Sequence, residues 1–427
     1  MSGPTHGYES SHVADPGKEA RSRAGLPVVP VFDGYRAYAI LAIVLLHLVQ
    51  VSGVVETGET GLLAGLVRGT IGHGIDILFV VSGFVVFLPT VARTGDFGRV
   101  GAYAIRRAAR LIPAYWAITV VALFLLAVVQ RPDLPGLPGA VSAGVHVLGL
   151  QTPATLFSAG IPMGFGVNPP VWALSLEISF YVVLPFVAAV WFRHPLAGLA
   201  AAALVTLGWN LAFDHIDSVA AFFGFAISGV EALRLNAAST LQLPSWAFSF
   251  GLGMTGAWAY VKLSGRPGDG PGRVRIGAIQ LLSVLSLVFF AWLSARSSSA
   301  APLELAAQYV RKSPEIAIGY SASLAVLMVS TALGAKRWRA PFAAGRIREL
   351  GDISYGIYLS HYLILVYAGS LLSLPEDGSF AALAVWTLAV VPLSVLYGYI
   401  SARYLEQPIR RWARKYGARH DGAGRTR

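Results

Sequence analysis

Ten stretches of this chain are long and apolar, at roughly 36–54, 75–91, 113–130, 171–191, 196–213, 245–262, 276–295, 315–334, 354–373 and 381–402. A helix of about 20 apolar residues spans the ~30 Å hydrocarbon core of a bilayer. Only helices and closed barrels satisfy their backbone groups there. The expected fold is therefore all-α: a polytopic transmembrane helical bundle of about ten spans. Composition agrees, since 13% of residues are charged where soluble domains carry about a quarter. With no cysteine in the chain, disulfides, thiolate nucleophiles and cysteine metal sites are excluded. Residues 1–30 are polar, rich in Gly, Ser and Pro, and lack the apolar core of a signal peptide, so they are expected to be a disordered cytoplasmic tail. The membrane domain is expected over 31–412, with 413–427 a basic cytoplasmic tail.

Two further apolar stretches, 139–150 and 219–233, are short or interrupted. Counting 219–233 as a span would reverse the orientation of everything after it. The distribution of basic residues decides between the alternatives. With ten spans and both termini cytoplasmic, all but Arg68, Arg131, Arg234, Arg296, Arg311 and Lys312 of the 33 lysines and arginines face the cytoplasm. The segment 219–233 then reads as re-entrant or lateral. Topology thus accounts for the +11 net charge, and no nucleic-acid partner is needed.

Ionisable side chains inside spans are costly and mark function by default. Arg36 and His47 are eleven residues apart in the first span, which is three turns plus about 20°, so they share one helix face about 16 Å apart along the axis. Asp33 is positioned to pair with Arg36. A lone membrane histidine is more often packing glue, and it is the other polar groups that favour a chemical role. Glu177 lies inside the fourth span after the double proline Pro169–Pro170, with Tyr181 one turn on. Arg107 and Arg110, at i and i+3 in "RRAARLIPAYW", present two planar guanidiniums of the kind that bind phosphates bidentately; Pro113 is expected to mark the start of that helix. Ser82–Gly83 suits close helix packing. His73 and Asp76 have no third ligand in sequence, so no metal site is expected. Ser354, Tyr358 and His361 form one polar stripe in the ninth span.

These segments, in this order, resemble the acyltransferase-3 family of integral-membrane O-acyltransferases. The likeness is carried by "FDGYRAYAILAIVLLH", "GIDILFVVSGFVV", "RRAARLIPAYW", "WALSLEISFYVVLPF", "GDISYGIYLSHYLIL" and "YLEQPIRRW" with Glu406 and Pro408, spread over residues 32–412. The resemblance implies transfer of an acyl group, usually acetyl, from acyl-CoA to a hydroxyl of a sugar, glycan, glycolipid or secondary metabolite. It implies no permanently bound cofactor. Arg107 and Arg110, with Arg36, would bind the CoA phosphates. His47 would act as general base, and Glu177 would orient or stabilise the imidazole or else hold the acceptor. Tyr358, His361 and Ser82 are candidates for acceptor or oxyanion contacts.

The chain departs from the family where a Glu pair or Glu-Gln is common and Glu177 is followed by Ile178. It also ends soon after the tenth span, so a standalone transferase is expected, multi-pass in a bacterial plasma membrane. The competing class is a transporter or flippase for a lipid-linked or small anionic substrate. No inverted repeat supports it.

Overall fold

The computed structural model describes residues 29–54, 69–264, 273–297 and 314–422, and its long apolar stretches there are helices. In chain order these are α1 (Val31–Val51), α2 (Gly74–Ala92), α3 (Val100–Val128), α4 (Ala140–Val147), α5 (Trp172–Arg193), α6 (Pro195–Asp214), α7 (Ile216–Phe222) and α8 (Gly229–Thr240). They are followed by α9 (Leu243–Ser264), α10 (Arg273–Ser297), α11 (Pro314–Leu333), α12 (Lys336–Ala343), α13 (Gly345–Leu372), α14 (Phe380–Ile400) and α15 (Gln407–Gly422). Residues 1–28 of the tail expected over 1–30, and Arg68, Arg266, Arg311 and Lys312, lie outside the described residues.

Among the described residues nine helices are long and apolar enough to cross a membrane: α1, α2, α3, α5, α6, α10, α11, α13 and α14. The tenth expected span is α9, within their range of lengths at 22 residues but less apolar. Its surroundings explain the difference. It packs against α2, α6 and α11, and a helix enclosed by protein rather than lipid does not need a wholly apolar surface. The segment 219–233 forms no span: α7 ends at Phe222 and α8 begins at Gly229. The eight-residue α4 is likewise too short to cross.

The most extensive helix–helix contact is that of α2 with α9. A Cβ on Gly83 would come within 2.2 Å of the Phe250 carbonyl oxygen, and one on Gly253 within 2.2 Å of the Val80 carbonyl oxygen. Both positions therefore require glycine, as small-residue packing predicts.

At 29 residues, α3 is about 44 Å long, more than a bilayer core requires. Its first turns, with Arg106, Arg107 and Arg110, can thus stand beyond the apolar layer. Pro113 does not start this helix, contrary to expectation; it lies well inside it. Membrane helices tolerate such a proline because neighbouring groups satisfy the carbonyl it leaves free. The beginnings of α1 and α13 lie together, since a Cβ on Gly351 would meet the Asp33 carbonyl at 2.4 Å. The start of α3 packs on α15. This is the basic end of the bundle. The boundary expected after residue 412 falls inside α15, which continues to Gly422.

A buried imidazole braces the connection between α3 and α5. His146 donates from Nδ1 to the Ser142 carbonyl (2.7 Å) and accepts at Nε2 from the Phe165 amide (3.3 Å). Burial pulls its imidazole below the usual range. The amide it holds belongs to a left-handed turn, φ 53° at Gly164 and 59° at Phe165. From this turn the chain runs into the bundle, where Asn168 Nδ2 donates to the Leu359 carbonyl at 2.8 Å and the Tyr358 hydroxyl donates to the Pro170 carbonyl.

Candidate active site

The basic end opens into a cavity of about 320 Å³, within the range of small-molecule sites. Six arginines line it: Arg36 from α1, Arg106, Arg107 and Arg110 from α3, and Arg410 and Arg414 from α15. The carboxylates in the lining are Asp33 and Glu177. So many guanidiniums around one space repel each other, and an anion entering it relieves that repulsion.

Two of the arginines lie over aromatic faces. Arg107 lies over Tyr103 at 5.8 Å and Tyr181 at 5.5 Å, and Arg110 over Tyr355 at 5.9 Å. The Nε of Arg107 is buried without a hydrogen-bond partner, a donor that a ligand oxygen would satisfy. Arg36 reaches Asp33 at 3.3 Å, as its spacing predicts. Arg110 approaches the buried Glu406 at 3.9 Å.

Deeper in the cavity Glu177 is fixed by two hydroxyls. Ser82 donates to its Oε1 at 2.6 Å, and Tyr181, one turn along α5, donates to the same oxygen. Ser354 and Tyr358 of α13 complete the wall. The expected stripe of Ser354, Tyr358 and His361 is thereby divided, because His361 is fully buried behind Tyr358 and absent from the lining.

Two buried membrane imidazoles meet there. His47 Nδ1 and His361 Nε2 are 2.9 Å apart. His361 Nδ1 faces only carbonyls, Tyr358 at 2.7 Å and Ile357 at 3.3 Å, so it must carry the proton. In neutral rings the rest follows. His361 Nε2 accepts, His47 Nδ1 donates to it, and the lone pair of His47 is on Nε2. The side chain therefore points into the bundle, 3% exposed, and not toward lipid. The hydrogen bonds of Glu177 go to Ser82 and Tyr181. The cavity lining on α1 reaches Ile40, about 10 Å along the axis from His47. Tyr358 connects the two, lining the cavity while its ring lies 5.9 Å from that of His361.

The structure thus gathers Arg36, Arg107, Arg110, Glu177, Ser82 and Tyr358 around one space, with His47 and His361 paired behind it. Sequence reasoning missed Arg106, Arg410 and Arg414. The signal available for the last two was the i, i+4 series Glu406, Arg410, Arg414.

The model of the acyltransferase-3 family, described as "Acyltransferase domain", matches residues 29–403. The chain belongs to that family. Similar proteins include the peptidoglycan O-acetyltransferase OatA of Listeria monocytogenes, 23% identical over 90% of this chain and 56% of that protein. The acyltransferase MdmB of Streptomyces mycarofaciens is 25% identical over 90% of this chain and 92% of its own length. Nodulation protein 10 of Rhizobium leguminosarum is 23% identical over 78% and 81%. The chain thus spans little more than half of the first of these and most of the other two. No solved structure matches it.

Proposed function

We propose that this family member is an O-acyltransferase of the bacterial plasma membrane that moves an acyl group, in the first instance acetyl, from acyl-CoA to a hydroxyl of a glycan, glycolipid or metabolite. The basic end faces the cytoplasm, in keeping with the positive-inside rule. The observation that carries the reading is a cavity lined by six arginines whose inner wall, Tyr358, touches the buried His361 that is bonded to His47. The O-acetyltransferase name of the Listeria relative supports the acyl group and the acceptor chemistry.

In this scheme Arg107 and Arg110, joined by Arg36, bind phosphates of CoA through charge-assisted bonds. The thin pantetheine arm extends inward past Glu177 and displaces Tyr358 from the wall to bring the thioester to His47. Nε2 of His47 takes the proton of the acceptor hydroxyl as its oxygen attacks the thioester carbonyl. The tetrahedral intermediate then collapses, the C–S bond breaks, and the imidazolium returns the proton to the leaving thiolate. His361 holds His47 in the tautomer this requires. Glu177, facing the cavity, holds the acceptor or arm through its free oxygen rather than orienting the base.

The test uses purified protein in detergent, acetyl-CoA, water standing in for the acceptor hydroxyl, and a measurement of free CoA thiol. Wild-type protein is expected to release thiol, and His47→Ala to lose about 10²- to 10⁴-fold of that rate while still binding CoA by calorimetry. A His47→Ala protein that released thiol at the wild-type rate would falsify the base assignment. Wild-type protein that neither binds CoA nor releases thiol would remove the donor.

A further inference from the structure

The matched family region stops at residue 403, yet two cavity arginines lie beyond it on α15. Between α14 and α15 the chain forms a π-helical stretch, Ser401–Glu406. Such a stretch has more residues per turn than an α-helix, so it rotates the face presented by everything after it, and π turns recur at functional sites. Here the rotated face carries Glu406, Arg410 and Arg414 at successive i+4 positions. Ser401 donates to Glu406 Oε1 at 3.1 Å, Glu406 faces Arg110, and Ala413 on the same helix is buried. The opposite face shows Trp412 stacked on Tyr416, both exposed.

Arg410 is half-buried in the cavity wall, and Arg414 is exposed at its rim. Among the described residues neither forms an ion pair, although Glu406 is one turn from Arg410. A helix that aims two guanidiniums without direct ion pairs into a space already holding Arg106, Arg107 and Arg110 is costly unless a multiply charged anion occupies it, even with Glu406 and Asp352 near Arg410.

We propose that Arg410 and Arg414 form the outer half of the donor site. There they grip the phosphates of the nucleotide end of CoA and so select CoA thioesters over shorter pantetheine thioesters. This rests on the acyl-CoA reading above. It assigns donor selectivity to a C-terminal helix outside the matched family region. Phosphate is also the headgroup chemistry of anionic lipids, so the test separates the two sources.

Arg410→Ala and Arg414→Ala are compared with wild type in neutral detergent for CoA binding and for the KM and kcat of acetyl-CoA and S-acetyl-pantetheine. Each variant is expected to raise both the Kd for CoA and the KM for acetyl-CoA about tenfold, the loss of one charge-assisted contact. For S-acetyl-pantetheine, which has no nucleotide, the change should be much smaller. Arg410→Lys should recover part of the CoA loss. An equal penalty on both donors would mean that the arginines merely support the fold. Unchanged CoA affinity, with an altered response only to added phosphatidylglycerol, would reassign them to lipid. Because CoA binding is read separately, wild-type protein that binds CoA without releasing thiol would overturn the transfer reading and leave the grip itself decided by the variants' Kd.

Discussion

Two buried histidines in this bundle have side-chain partners at similar distances and very different surroundings. His47 meets His361 at 2.9 Å, and His73 meets Asp76 at 2.8 Å. The second pair is locked. Asp76 also accepts from Ser321 at 2.9 Å, and the His73 ring stacks on Tyr320 with 3.5 Å between centroids. The space beside Asp76 is about 40 Å³, enough for about one water. The first pair stands behind a wall of a cavity eight times that size, beneath an arginine-lined mouth. A buried ionisable group in a membrane protein is a functional candidate by default, but reachable volume separates chemistry from packing.

The comparison breaks or sharpens with three variants. His361→Ala is expected to have the largest effect, lowering kcat about a hundredfold with CoA affinity retained, because His47 loses the acceptor that fixes its tautomer. His361→Gln should recover part of the rate, since a carboxamide oxygen can accept from His47 Nδ1. Equal losses in both variants would mean that His361 only fills space. Next is Asp76→Ala, expected to cost about 2 kcal/mol of stability in thermal or denaturant unfolding, with thiol release per folded molecule nearly unchanged. A stable but inactive Asp76→Ala protein would reverse the assignment of the two pairs.

The smallest effect provides a surface baseline. On α8, Arg234 donates to Glu231 at 2.6 Å and also to the Thr155 and Leu156 carbonyls, and its hydrogen bond holds the Glu231 carboxyl below its ordinary value of 4.5. A depressed folded-state value stabilises above the unfolded value, and the benefit is lost as pH falls through the folded one. Glu231→Gln should therefore lower Tm slightly at pH 7, with the gap to wild type closing as the pH drops below 4.5. A gap that widened in acid would contradict the pairing.

Much of this arrangement was legible in the sequence because the bilayer leaves few options. Apolar length alone marked the spans, and helical periodicity put Asp33 beside Arg36 and Tyr181 beside Glu177. What escaped depended on contacts distant along the chain or on altered register. His361 is 314 positions from His47, and no local pattern pairs them. Arg410 and Arg414 looked like ordinary basic dressing until the π-helical stretch turned them inward. Pro113 resembled a helix start because a proline's cost is local, whereas the relief of that cost comes from neighbouring helices. The modest apolarity of α9 reflects neighbours that sequence alone does not display.

The glycine contact between α2 and α9 has a mechanical consequence. With Gly83 against Phe250 and Gly253 against Val80, these helices meet backbone to backbone, and neither can slide without collision. Ser82, which anchors Glu177, is mounted on that seam. On the proposed transfer reading, any widening that lets an acyl arm pass is then expected on the other wall, where the Tyr358 hydroxyl donates to the Pro170 carbonyl. On that reading the chamber has one fixed jamb, and passage of the donor depends on the other.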